Sequence, residues 1–133
     1  MILADSSVLI DVFRARRTPA SDRLREAVYE GTPYAVPLPC VQEVLQGARD
    51  EPEWRLLRNF FESQEIAEPA DWQAAHVEAA RIFFECRRRG LTVRSSVDCL
   101  IAALALERRD ILLHDDEDFE AIAKVRRLQT LRA

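Results

Sequence analysis

The stretch Met1-Ile2-Leu3-Ala4-Asp5-Ser6-Ser7-Val8-Leu9-Ile10 decides how the rest of the chain is read. Its apolar opening lacks the alternation of a half-exposed strand and is too short for a core helix. It therefore predicts a buried parallel strand that hands over to a helix at an acid and two serines. Asp5 then stands at the strand's carboxyl end, the edge at which open α/β sheets bind ligands. One carboxylate there says little. Three more, Glu43, Asp98 and Asp116, are expected at the same edge.

With 133 residues, of which 48% are hydrophobic, the chain is expected to be a single domain over 1-133 with a genuine core. No apolar run approaches the eighteen or so residues of a membrane span, and acids at positions 5 and 11 interrupt anything resembling a signal peptide. Three cysteines without a CxxC pair suggest neither a disulfide framework nor a thiolate zinc site, and the cytoplasm is the expected compartment. The net charge of -4 argues against a simple nucleic-acid coat protein. Yet Lys124 is the only lysine, and arginines gather at Arg14, Arg16 and Arg17 and at Arg87, Arg88, Arg89 and Arg94. Guanidinium groups suit bidentate phosphate contacts, so Arg14, Arg16, Arg17 and Arg94 are candidate contacts to a polyanion; solvated helix ends are the plainer alternative.

Working outward from the first strand, Val8 to Arg14 predicts a helix, and Thr18-Pro19 opens a second that ends at Gly31 with Leu24, Ala27 and Val28 facing the core. Pro33 to Pro37 is a second strand. Pro39 starts a helix with Glu43 at the edge of its apolar stripe, beside Cys40; there the acid either lines a groove or complements the helix dipole. Glu53 to Gln64 predicts a helix burying Trp54, Leu57, Phe60 and Phe61, and Glu65 to Ala67 a small strand. Asp71 opens the longest helix, closed by Gly90, with His76 near its stripe but without a partner at ligand spacing. Ser95 to Leu106 is apolar nearly all round, so Asp98 in its first turn must be compensated. It either reaches back to cap the helix in a Ser95-Ser96-Val97-Asp98 box or faces a cation. Ile111 to His114 is a strand that runs into Asp115-Asp116-Glu117-Asp118-Phe119, and Leu128 to Leu131 closes the sheet. Alternating strands and helices predict an α/β fold, a mainly parallel sheet covered by helices.

Four carboxylates sharing a crevice raise one another's pKa unless a cation intervenes, and an oxygen-only donor set favours Mg²⁺ or Mn²⁺, one ion or two. Such a centre suits in-line hydrolysis of a phosphodiester.

The segments Leu3-Ala4-Asp5-Ser6-Ser7-Val8-Leu9-Ile10, the helix bearing Glu43, Val93-Arg94-Ser95-Ser96-Val97-Asp98-Cys99-Leu100-Ile101-Ala102-Ala103 and Leu112-Leu113-His114-Asp115-Asp116-Glu117-Asp118-Phe119 occur in the order found in the PIN-domain ribonucleases. In this ordered set the chain most resembles the VapC-type toxins of bacterial toxin–antitoxin pairs. The resemblance implies a three-layer PIN-like fold and a Mg²⁺- or Mn²⁺-dependent endoribonuclease. It implies Asp5, Glu43, Asp98 and Asp116 as catalytic and metal-binding acids, with Asp118 and Ser7 as auxiliary residues. It further implies a homodimer, an RNA substrate and a cognate VapB-like antitoxin, with no membrane partner. His114 stands where many relatives carry a small hydroxyl residue. Rival readings are a PIN-type RNA-processing nuclease outside a toxin system, a metal-dependent phosphatase or phosphotransferase that would use Asp5 as nucleophile, and a fold relative that binds without cutting.

Overall fold

The computed structural model describes residues 1–132. Ile2, Leu3 and Ala4 form β1 (Ile2–Ala4), and all three are buried. The reason is position: β1 lies between β2 (Tyr34–Pro37) and β4 (Ile111–Leu113), with β3 (Ile66–Ala67) and β5 (Thr130–Leu131) at the edges, in the order β3-β2-β1-β4-β5. Every pairing is parallel. A central parallel strand is covered on both faces, which is why its sequence shows no alternation. The helices are α1 (Ser6–Phe13), α2 (Pro19–Glu30), α3 (Leu38–Leu45), α4 (Glu51–Glu62), α5 (Trp72–Arg88), α6 (Ser96–Arg108) and α7 (Glu117–Ile122).

The strand order fixes where a ligand can sit. From β1 the chain crosses to β2 and β3 on one side, then returns to add β4 and β5 on the other. Connections diverge at the carboxyl ends of β1 and β4, and such a switch point leaves a crevice. Register holds those ends level, Ala4 opposite Leu113, and the Asp5 N–H donates to the Leu113 carbonyl at 3.0 Å.

The core gathers Leu3, Leu9, Val36, Ile82, Ile101, Leu112, Leu113, Phe119 and Ile122, each essentially inaccessible. Full burial of one such side chain contributes about 1.5–3 kcal/mol. The α6 helix is enclosed as its composition predicts, with Ile101 through Ala105 all buried. At α2, Thr18 and Ser21 exchange the two hydrogen bonds of a capping box, Pro19 takes the first turn, and Gly31 ends the helix at φ 71°.

Two assignments of core faces need correction. In α2 the buried positions are Ala20, Ser21, Leu24 and Ala27, while Val28 is 58% exposed. Val28 shares the helical angle of Leu24 and Ser21 but falls in the last turn of the helix, just before Gly31. In α4 the buried positions are Leu57 and Phe61; Phe60 is half-buried and Trp54 is exposed under the Arg58 guanidinium. The closing strand is shorter than predicted, Thr130–Leu131, with Leu128 buried just before it. Among the described residues no helix is long and apolar enough to cross a membrane.

Candidate metal centre

Strand β1 delivers Asp5 into the crevice with the side chain buried. Asp5 is also the N-cap of α1: its Oδ2 accepts the Ser7 N–H at 3.0 Å and the Ser7 hydroxyl at 2.6 Å. The same Ser7 Oγ accepts the Asp115 N–H at 3.0 Å, which ties the loop after β4 to the start of α1. Burial raises the Asp5 pKa against these bonds, and the nearby Asp116 charge raises it further. Glu43 approaches from α3, half-buried, with Oε1 accepting the Ser6 hydroxyl at 3.2 Å. Burial, then the Asp5 charge, lifts its pKa too.

Opposite them, α6 brings Asp98 and the loop into α7 brings Asp116 and Asp118. Ligand oxygens of these three lie within 4.8 Å of one another, and those of Asp5 and Glu43 lie as close together with the Cys40 sulfur. The Asp5 and Asp116 charges act on Asp98, and those of Asp5 and Asp116 on Glu43, so both groups face one cup.

Asp98 is where this cup is under most strain. It is buried, and its Oδ2 has no hydrogen-bond partner among the described residues. Burial comes first in pushing its pKa to about 9, and the Asp118, Asp5 and Asp116 carboxylates add to it. The capping box that the Ser95 to Asp98 pattern allowed does not form. Ser95 makes no side-chain cap bond; its N–H and that of Arg94 go to Asp118, at 3.0 Å each. These backbone donors, outweighing burial, hold the Asp118 pKa low. Asp118 thus anchors the entrance to α6, while the Asp98 carboxyl is pushed toward its protonated form. Of the two alternatives for Asp98, helix capping is removed.

Asp116 is the N-cap of α7 and spends Oδ1 on the Asp118 N–H at 2.9 Å. Its backbone N–H donates to the His114 Nδ1 at 3.2 Å. Nδ1 therefore lacks a proton and Nε2 carries it, 3.7 Å from Glu120 and without a hydrogen-bond partner among the described residues. Burial lowers the His114 pKa, which keeps the ring neutral. The imidazole does here what a small hydroxyl at this position could do: it fixes the loop that bears Asp116.

An orphaned buried oxygen on Asp98, raised pKa values at Asp5 and Glu43, and an outlying set of carboxylates fit a hard divalent cation. The all-oxygen donor set expected from sequence is incomplete, however. Cys40, fully buried on α3 one helical turn before Glu43, places Sγ 3.8 Å from Asp5 Oδ1. Spacing i, i+3 put the two on one face; nothing in the sequence showed that Cys40 would face the acids rather than the core. Ser6 is a second unforeseen neighbour.

The arginines divide. Arg14 is bound to Glu53 at 2.6 Å and to the Gly47 carbonyl at 2.9 Å, a strut between α1 and the start of α4. Arg17 pairs with Asp22, and Arg16 lies 3.7 Å from Asp11. Arg94 is exposed beside the cup, and its guanidinium has no ion-pair partner among the described residues. His76, exposed on α5, bonds its own helix at the Trp72 carbonyl and joins no metal group.

The sequence model of the PIN domain matches residues 2–125. The chain belongs to the PIN-domain family. It is 37% identical over 133 residues to the VapC ribonuclease Mb1587 of Mycobacterium bovis and to Ribonuclease VapC11 of Mycobacterium tuberculosis, in each case covering 97% of this chain and 96% of the other. Its fold is similar to that of VapBC-1 from nontypeable Haemophilus influenzae, with a TM-score of 0.72 at 17% identity over 98% of this chain and 97% of that one. It is similar again to FitAcB from Neisseria gonorrhoeae, at 0.70 and 17% over 99% and 97%. In this PIN domain Asp5 follows β1 and Asp116 follows β4, the two strands between which the strand order opens a crevice.

Proposed function

We propose that this PIN domain is a VapC-type toxin, a Mg²⁺- or Mn²⁺-dependent endoribonuclease that hydrolyses RNA phosphodiester bonds and is silenced by a cognate VapB-like antitoxin. The observation that carries the reading is Asp98, a buried carboxyl with a partnerless oxygen in the midst of Asp5, Glu43, Asp116 and Asp118. The identity with proteins named VapC ribonucleases supplies the reaction class.

Asp5, Glu43, Asp98 and Asp116 would hold the ion, with Asp116 contributing the oxygen its cap bond leaves over. When bound, the ion supplies a Lewis acid that neutralises charge on a scissile phosphodiester. Ser7 and Ser6 aim Asp5 and Glu43, and His114 and Asp118 aim Asp116 and the entrance to α6. Preorganisation of this kind spares reorganisation when charge develops. Arg94, free at the rim, is best placed of the four candidate arginines to meet an RNA phosphate. Arg16 and Arg17 lie farther along α1 and its exit, and Arg14 is committed to Glu53. The working state is proposed as a cytoplasmic homodimer.

The test is RNA cleavage by the purified chain. Cleavage should need Mg²⁺ or Mn²⁺, stop with chelator, and be lost in Asp98→Asn with the fold intact. Undiminished cleavage by that variant removes Asp98 from the reaction, and co-expression with the neighbouring small reading frame should suppress cleavage if that frame encodes the antitoxin.

A further inference from the structure

Cys40 is the one donor in the cup that a hard cation does not need. Its Sγ is buried, 3.8 Å from Asp5 Oδ1, and lies in a group of three with Asp5 and Glu43 whose ligand atoms are all within 4.8 Å of one another. For tetrahedral zinc, bonds of about 2.3 Å to sulfur and about 2.0 Å to oxygen require a sulfur–oxygen edge of about 3.5 Å. The observed separation is within a small side-chain adjustment of that edge. Thiolate, carboxylate and carboxylate leave a fourth position for water, as in sites with three protein ligands.

A second observation points the same way. Asp98, buried to 4% exposure, has an oxygen without a hydrogen-bond partner among the described residues and belongs to the neighbouring group of Asp98, Asp116 and Asp118 that shares the crevice. The other two cysteines, Cys86 and Cys99, are buried and belong to no such group among the described residues. Soft sulfur favours Zn²⁺ or Cd²⁺ over Mg²⁺ and Mn²⁺, which prefer oxygen.

We infer that the cup has a second mode of metal binding, in which a thiophilic divalent cation such as Zn²⁺ or Cd²⁺ is held by Asp5, Cys40 and Glu43 and excludes the hard cation through the shared Asp5. As the sulfur–metal bond forms, the Cys40 thiol proton leaves to solvent and the sulfur binds as thiolate. Binding stands on the donor atoms alone; inhibition of cleavage by such an ion rests on the nuclease reading.

The experiment titrates Cd²⁺ into the metal-free full chain without RNA and follows sulfur-to-metal charge-transfer absorption. One equivalent should produce the band. It should persist in the Cys86→Ala, Cys99→Ala double variant and vanish in Cys40→Ala, with Cd²⁺ affinity lower by on the order of 100-fold. No band in the unmodified chain, or a band that survives Cys40→Ala, overturns the inference. The unmodified chain decides the matter even if Cys40→Ala fails to fold. A one-to-one band supports the site whether or not RNA is cut, and its absence overturns the site even where Mg²⁺-dependent cleavage is intact.

Discussion

Replacing Asp98 by asparagine should make the metal-free protein more stable, although it removes a proposed catalytic acid. The folded chain holds the Asp98 carboxyl at a pKa of about 9 against an ordinary 3.8. At pH 7 folding must then retain a proton that the unfolded chain releases, which at about 1.36 kcal/mol per pH unit costs about 4 kcal/mol. Relaxation of the surroundings and water penetration offset part of this, leaving about 2 kcal/mol to be recovered. Asparagine has the same shape, cannot ionise, and its amide can donate to Asp118 as the protonated carboxyl does. For a chain of this length about 2 kcal/mol corresponds to a Tm rise of about 6 °C. The sign follows from a raised carboxyl: its favourable contribution is complete below pH 4 and is lost as pH climbs toward 9. The two proteins should therefore melt alike near pH 4 and diverge steadily up to pH 9. Thermal melts by circular dichroism in chelator, at several pH values, make the measurement. Saturating Mg²⁺ should reverse the order, since a ligand at a hundred times its Kd adds about 2.7 kcal/mol to the protein that binds it. A variant that melts below the unmodified chain at pH 8, or a difference that ignores pH, would refute the electrostatic account.

Mg²⁺ affinity, read by calorimetry, should strengthen from pH 6 to pH 9, because Asp5, Glu43 and Asp98 all carry raised pKa values and bind only when deprotonated; a flat profile would contradict this. Asp118→Ala should cost about 1–3 kcal/mol in urea unfolding, because it strands the Arg94 and Ser95 N–H groups. Arg94→Ala should lower the salt slope of RNA binding by about 1, whereas Arg14→Ala should leave the slope alone and lower the melting temperature slightly through loss of the Glu53 ion pair. Equal slopes for the two variants would place RNA elsewhere.

How much of this was legible in the sequence depends on whether a residue's role is set by its own segment. β1 could be read because two-sided burial leaves its mark on consecutive residues, Ile2 to Ala4, and α6 because enclosure leaves its mark around a whole helix. Asp5 and Asp116 each follow a strand and each cap the next helix, so strand, cap and crevice are one local signal. Asp98 stayed open between two readings for the opposite reason. Ser95 to Asp98 carries a capping-box pattern, but the donors it would have satisfied were taken from twenty-three residues away by Asp118, and no local pattern records a competitor that distant in sequence. The lost cap leaves Asp98 with an unmet oxygen, so the failure of the local rule and the case for a proposed cation there have one cause. Cys40 escaped for a related reason: periodicity assigns it to the apolar stripe of α3, and only the crossing of α3 over the end of β1 turns a core thiol toward a carboxylate. The same reasoning explains the arginines. Arg14, Arg16 and Arg17 cluster in sequence, which suggested a common task, but Arg14 is claimed by an acid thirty-nine residues on, and the isolated Arg94 is left at the rim of the cup. Local pattern thus locates the crevice, and long-range competition for donors and charges determines which of its side chains are left to bind.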